Sequence, residues 1–381
     1  MKIFQAKWSL GSEWSPALKN DPAVNLVFLF GSTAHLKEKK ELSNIRNAYP
    51  GAVFFGCSTA GEIFGTQVFD ESLTVTAIRF EKTALRMVYG RVEEPGKSLE
   101  VGRDLARQLE KKDLAHVFVL SDGLHVNGTD LVRGLTEELP PSVAVTGGLS
   151  GDAARFQETL VLGKDGTPEP NGVALLGMYG RDLRVSYASL GGWDPFGPER
   201  TVTRSEGNIL FELDGKSALG LYKQYLGEHA KGLPSTGLLF PLSLRTSEKE
   251  SGVVRTILAV DEKEQSITFA GTMPRGAVAR FMKANFDRLI DGASGAAKAS
   301  HFSAKPSGIG LAVLISCVGR KLILKQRIEE EVEAVREVLG PNMMLTGFYS
   351  YGEISPFTPG AKCELHNQTM TITTLTEIKN G

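Results

Sequence analysis

The chain has 381 residues, a formal net charge of −1, 41% hydrophobic residues and 23% charged ones. A near-neutral charge, with Lys and Arg spread along the sequence, argues against a nucleic-acid or anionic-membrane surface as the main business. No apolar run reaches the roughly 18–20 residues of a membrane span, and Cys57, Cys317 and Cys363 lie far apart with no Cys-x-x-Cys, so a disulfide scaffold is not expected either.

In chain order, residues 26–30 form a continuous apolar strand that ends at Gly31-Ser32. A helix is expected over about 36–48, with Leu36, Leu42 and Ile45 facing inward and Pro50-Gly51 stopping it. A strand at 52–55 then runs into Gly56, which opens the motif Gly-Cys-Ser-Thr-Ala-Gly-Glu-Ile at 56–63. The same order recurs with a strand at 116–120, a helix at 128–138, a strand at 143–145 and the looser motif Gly-Gly-Leu-Ser-Gly-Asp at 147–152. It recurs again with a strand at 309–315, a helix at about 325–338, a strand at 343–345 and Gly-Phe-Tyr-Ser-Tyr-Gly-Glu-Ile at 347–354.

Val27 to Gly56 is 29 residues, Val117 to Gly147 is 30 and Val313 to Gly347 is 34. Each span is roughly the length of one strand–helix–strand unit. Strands of alternating character follow each unit at 73–80, 172–179 and 369–375. Further strands are expected at 183–190, 253–260 and 266–270, and helices at about 215–226 and 276–290. The stretch 291–308, rich in Gly, Ala, Ser and Lys, reads as a loop able to act as a lid. A Gly- and Pro-rich shift at 191–208 sets the expected boundary between two domains, 1–195 and 196–381. The fold class expected is α/β, with two α/β domains of mixed sheets built from repeated strand–helix–strand–Gly-turn units.

The Gly turns are the first candidate site. Gly, Ser and an acid after a strand make a turn whose N–H groups and carboxylate can meet a ligand. The residues are Gly56, Cys57, Ser58, Glu62, Gly147, Ser150, Asp152, Gly347 and Glu353. The competing reading is structural: Gly permits the turn and the acid ties down a neighbouring segment. Cys57 also has two readings, a nucleophile or a small buried residue, and the second is favoured because Phe348 stands at its position in the later copy. Arg255 and Arg320 sit among apolar residues and would want a carboxylate or a ligand anion if buried. Walker A, Gly-x-Gly-x-x-Gly, His-Glu-x-x-His and Gly-x-Ser-x-Gly sequences are all absent, so an enzyme is not the expectation.

Taken together, the turns at 56–63, 147–152 and 347–354, with Asp122-Gly123-Leu124, Phe240-Pro241-Leu242, Ser316–Arg320 and Leu365–Thr369, resemble the FIST proteins. The resemblance covers almost the whole chain, in the order of a FIST N domain followed by a FIST C domain. It implies a cytoplasmic sensory module of bacterial signalling that binds a small-molecule ligand. It further implies haem as a cofactor and nitric oxide as a signal, passed to a histidine kinase or cyclic-di-GMP enzyme on a separate chain. A homo-oligomer is compatible with the sequence. For haem iron, His125 ranks first, at a strand–helix junction beside Leu124 and Val126, followed by His301 and His229. The alternatives are a small anionic metabolite such as an amino acid, which Arg255 would suit, and an enzyme built on Cys57.

Overall fold

Apolar runs too continuous for a one-sided sheet need partners on both faces, and this chain provides them by building one unit three times. The computed structural model describes residues 1–247, 252–301, 309–357 and 360–378. In the first unit, strands Leu26–Gly31 and Val53–Ser58 pair in parallel across helix Lys39–Ala48. Ser72–Arg79 runs antiparallel beside the first of these, and Lys2–Ser9 completes that edge. The second unit repeats this with Leu114–Ser121, Ala144–Leu149, Gly172–Tyr179 and Ala84–Arg91. The third repeats it with Gly310–Cys317, Met343–Ser350, Met370–Glu377 and Leu183–Leu190.

Each unit also donates a hairpin to a neighbour's sheet. Glu62–Phe64 pairs with Met343–Ser350, Val161–Leu162 with Val53–Ser58, and Gly352–Pro356 with Ala144–Leu149. The exchange is cyclic and gives three six-stranded sheets. Their inner faces meet on Phe28, Phe30, Phe118, Leu176, Val313 and Phe348. Phe28 and Phe118 lie 5.6 Å apart between ring centroids, and Phe30 and Phe348 4.8 Å. Hydroxyls bridge two of the seams: Thr76 to Thr346 at 2.9 Å, and Thr373 to Thr146 at 2.8 Å.

The sequence between strands Leu183–Leu190 and Gly310–Cys317 forms a smaller body. Its eight-stranded antiparallel sheet runs from Asp194–Glu206 to Val278–Lys283 in sequence and carries helix Ala218–Leu226. Val202, Leu210, Leu219, Tyr222, Leu242 and Phe281 make its separate core. The division expected at 195/196 falls inside strand Asp194–Glu206, the first of this insert, and one sheet takes strands from both sides of it. Leu183–Leu190 lies before the division and pairs with Met370–Glu377, because an edge strand needs a hydrogen-bonding partner wherever the chain can supply one.

Two local expectations change. Residues 291–299, read as part of a lid, belong to helix Phe286–Ala299; residues 302–308 lie outside the described residues. Gly292 is there for close approach, since a Cβ would stand 2.1 Å from the carbonyl oxygen of Gly191. The segment 276–290, read as a helix, holds strand Val278–Lys283 before that helix begins.

Candidate functional site

The three Gly turns meet one another at the centre of the three sheets. Ala60 N–H donates to Tyr349 O, Gly151 N–H to Ser58 O, and Tyr351 N–H to Leu149 O. The turn N–H groups expected to face a ligand are therefore engaged in a ring of mutual hydrogen bonds. Gly147 and Gly347 have φ of +151° and +154°. A Cβ on either would stand 1.8 Å from the carbonyl oxygen of Val119 or Leu314 on the parallel partner strand, and one on Gly56 would stand 1.9 Å from that of Leu29. These glycines are required by the strand pairing itself.

The other turn residues are buried with internal partners. Glu62 accepts from Thr59 Oγ1 at 2.5 Å and Ser72 Oγ at 2.6 Å; Glu353 accepts from Ser350 Oγ at 2.6 Å and Thr369 Oγ1 at 2.9 Å. Burial pushes their carboxyls up to about 7 and about 8, against the pull of those donors. Ser58 Oγ accepts from Leu160 N, and Ser150 Oγ donates to Ser121 O. Cys57 is completely buried, and burial drives its thiol well above the ordinary range, so it is a core residue with no exposed nucleophile. Arg320 is also completely buried: it pairs with Glu331 at 2.7 Å and donates to Gly191 O and Leu289 O. These residues hold the fold, and the physical reason is the same throughout, since buried polar groups must be paired.

A cavity of 330 Å³ opens where the three-unit body faces the insert. It lies beyond the carboxyl ends of strands Leu114–Ser121, Ala144–Leu149, Gly310–Cys317 and Met343–Ser350, where open α/β sheets gather ligands. Leu124, Leu149, Phe156 and Tyr351 line it from the body, and Leu238, Leu258 and Phe269 from the insert. Phe156 and Leu258 are 41% and 44% exposed, marking an apolar mouth.

His125 lines this cavity. Asp122, fully buried, accepts from Leu124 N at 2.9 Å, His125 N at 2.7 Å, Thr159 Oγ1 at 2.7 Å and Asn171 N at 3.2 Å. His125 Nδ1 stands 3.2 Å from the same carboxylate. The sequence Ser-Asp-Gly-Leu-His folds this way because an Asp carboxylate reaches N–H groups two and three residues on. His125 thus keeps Nε2 as its free ring nitrogen.

The second repeat spends its acid differently from the other two. Asp152 accepts from Phe156 N, Gln157 N, Glu158 N and the Tyr351 hydroxyl. This holds Phe156, at φ +52°, in a parallel stack on Tyr351 with centroids 4.5 Å apart. Thr256 and Asn208 face the cavity from the insert, and the buried Thr256 hydroxyl has no hydrogen-bond partner among the described residues.

The remaining candidates are not brought together here. His229 is exposed in a short turn, its ring 5.3 Å from that of Phe240. His301 follows helix Phe286–Ala299 and does not line the cavity. Arg255 lines a different cavity. Asp122, Phe156, Tyr351, Asn208, Thr256 and Leu258 were missed as site residues. Only Asp122 had a usable signal, its spacing of three from His125.

Two bodies with an apolar cleft between them, one anchored imidazole and a few neutral polar groups have the make-up of a small-molecule binding protein. The FIST N domain family model matches residues 25–216 and the FIST C domain family model residues 218–356. The chain belongs to the FIST family, and FIST domains suggest a ligand-binding role in sensing or signalling. It is similar to the uncharacterized protein MJ1623 of Methanocaldococcus jannaschii, 24% identical over 216 residues, which is 54% of this chain and 41% of that protein. The chain thus matches less than half the length of that curated relative. Among solved structures it is similar to a cyanuric acid hydrolase from A. caulinodans, with a TM-score of 0.36 and 6% identity over 99% of both chains. A second cyanuric acid hydrolase structure gives a TM-score of 0.34 and 10% identity over 98% of this chain and 99% of the other. Among the described residues no helix is long and apolar enough to cross a membrane.

Proposed function

We propose that this protein is a cytoplasmic sensor whose ligand binds in the cleft between the three-unit body and the insert, with haem held by His125 and nitric oxide as the signal. The observation that supports it is the Asp122–His125 pair at the cleft. A buried carboxylate behind one ring nitrogen orients an imidazole and makes the other nitrogen a better iron ligand. The apolar walls suit the face of a porphyrin. Haem, when bound, supplies an iron atom to which nitric oxide binds.

The chain's own residues have separable tasks. Asp122 fixes the ring of His125. Phe156 and Leu258 narrow the mouth and exclude water. Because the walls come from two bodies, a ligand bridging them favours one relative arrangement, and a ligand shifts a conformational equilibrium only through such differential contacts. A separate histidine kinase or cyclic-di-GMP enzyme would read that arrangement. Binding, not catalysis, is the role proposed, and Cys57 has no part in it. A small anionic metabolite is less well supported at this cleft, because no Lys or Arg lines it among the described residues.

The test is an absorption spectrum of the purified protein with added hemin, before and after nitric oxide, on wild type and His125→Ala. A sharp Soret band that nitric oxide shifts, and that His125→Ala loses or displaces, is expected. A broad spectrum like that of free hemin, unchanged by the substitution, would rule the haem reading out and leave a thermal-shift panel of small molecules as the next step.

A further inference from the structure

Arg255 and Thr256 stand at the break between strands Val253–Arg255 and Ile257–Asp261. Neighbours along an extended chain face opposite ways. Thr256 lines the His125 cleft, whereas Arg255 lines a second cavity, of 300 Å³. The adjacent segment repeats the alternation: Gly271 lines the cleft and Thr272 the second cavity. On the body's side Gly128 lines the cleft and Thr129 the second cavity. One wall thus separates two cavities that both lie between the body and the insert.

Their chemistry differs. Among the described residues no Lys or Arg lines the His125 cleft, while Arg133, Arg255 and Lys362 line the second cavity beside one described carboxylate, that of Glu364. Arg133 and Lys362 are at the exposed rim, Arg133 beside Asp130 at 3.1 Å. Arg255 is 5% exposed, and among the described residues the acceptors it meets are main-chain carbonyls: Leu365 at 2.9 Å, Val254 at 3.3 Å and Thr272 at 3.5 Å. Gly271 makes room for it, since a Cβ there would stand 2.6 Å from Arg255 Nε. A guanidinium presents five N–H donors in a flat fork that matches two oxygens of an anion. Neutral carbonyls satisfy donors without balancing the charge. Burial lowers its pKa to about 10, with Glu364 opposing. The Thr129 hydroxyl is a further buried group without a hydrogen-bond partner among the described residues.

We propose that this second cavity binds a small oxyanion, a carboxylate or a phosphate, on the Arg255 guanidinium, with Arg133 and Lys362 guarding the mouth. The site is separate from the His125 cleft and does not depend on what that cleft holds.

The experiment is a thermal-unfolding and calorimetric titration of the full chain with inorganic phosphate and with succinate, ionic strength being held constant with sodium chloride. Wild type, Arg255→Lys, the double variant Arg133→Ala/Lys362→Ala, and His125→Ala are compared. Saturable stabilisation of the wild type by at least one anion is expected, and which anion acts identifies the headgroup. The double variant should bind about tenfold more weakly, the loss of roughly 1.4 kcal/mol. His125→Ala should respond as wild type does. Arg255→Lys should lose the response; if it fails to fold, the rim variant still decides. No saturable effect in the wild type, an undiminished effect in the rim variant, or loss of the effect in His125→Ala would each overturn the proposal.

Discussion

Glu62 and Glu353 make the same bonds from the same place in the first and third repeats. One oxygen of each takes the hydroxyl of its own turn, Thr59 or Ser350. The other takes both the main-chain N–H and the hydroxyl of a residue at the entry to the unit's last strand, Ser72 at its first position or Thr369 just before it. The acid of the motif is thus a clasp between turn and strand. Asp152, its counterpart in the second repeat, instead holds the Phe156 loop and Tyr351. The repeat that departs from the clasp is the one that shapes the cleft.

The clasp carries a pH signature. Both carboxyls have an ordinary value of 4.5, and burial raises Glu62 to about 7 and Glu353 to about 8. Between the unfolded and folded values the native state binds more protons than the unfolded chain. Stability therefore falls as pH rises from about 4.5 to 8 and levels off above, by an amount on the order of 3–5 kcal/mol for Glu353. Buried His116 and His366, lowered to about 3 and about 4, act below 6.5, and the three buried thiols, raised by burial, act chiefly above 8, so the range from 6.5 to 8 reports mainly on the carboxylates. Denaturant unfolding across that range should show a clearly shallower decline for Glu353→Gln than for wild type. An unchanged slope would mean that Glu353 is ionised throughout.

The glycines of the motif set a steric limit. Gly147→Ala and Gly347→Ala each place a methyl against a partner-strand carbonyl and in an unfavourable φ. Each should cost at least about 4 kcal/mol or abolish folding, since strand separation and backbone strain add. Gly96→Ala, with nothing within 4 Å of the new methyl, should stay within about 1 kcal/mol of wild type. Urea midpoints of the variants decide the matter.

The strand–helix–strand units and the three turns were legible in the recurring apolar runs and Gly–Ser–acid spacing, and Gly56, Gly147 and Gly347 recur because at each the partner strand's carbonyl leaves no room for a Cβ. The mixed α/β class followed. What the sequence did not display is which sheet each hairpin joins. Ile63 opposes Gly347 only in the folded protein, and no local propensity encodes that. The same holds for the site. His125 could be singled out from its position after a strand, but Thr256, Leu258 and Asn208 reach the cleft from an insert whose docking is a tertiary fact. The reading of Arg320 as a ligand residue missed Glu331, which meets it from the next helix.

The three thiols offer a direct check on the enzyme alternative. Cys57, Cys317 and Cys363 are buried, and burial raises all three thiol pKa values. The native protein should react with an aromatic disulfide reagent only as fast as it opens, and fully in denaturant. A thiol that titrates within seconds in the native state, and that Cys57→Ser removes, would restore Cys57 as a nucleophile.

Asp122 and His125 should separate folding from binding. His125 is half-exposed, and its side chain supports no other residue except through Asp122, so His125→Ala should change stability by no more than about 0.5–1 kcal/mol. Asp122→Ala removes the acceptor from Leu124 N, His125 N, Thr159 Oγ1 and Asn171 N within a buried pocket. Unpaired buried donors cost about 1–3 kcal/mol each, and partial relaxation should leave a total near 3–5 kcal/mol. Asp122→Asn keeps one acceptor oxygen and should fall between. If the cleft binds its ligand through the imidazole, His125→Ala loses binding at near-native stability, while Asp122→Asn weakens both together. Denaturant midpoints measured beside the ligand titration distinguish these patterns. Equal destabilisation by His125→Ala and Asp122→Ala would show that the imidazole itself is part of the fold's support, and the cleft would then need a different anchoring group.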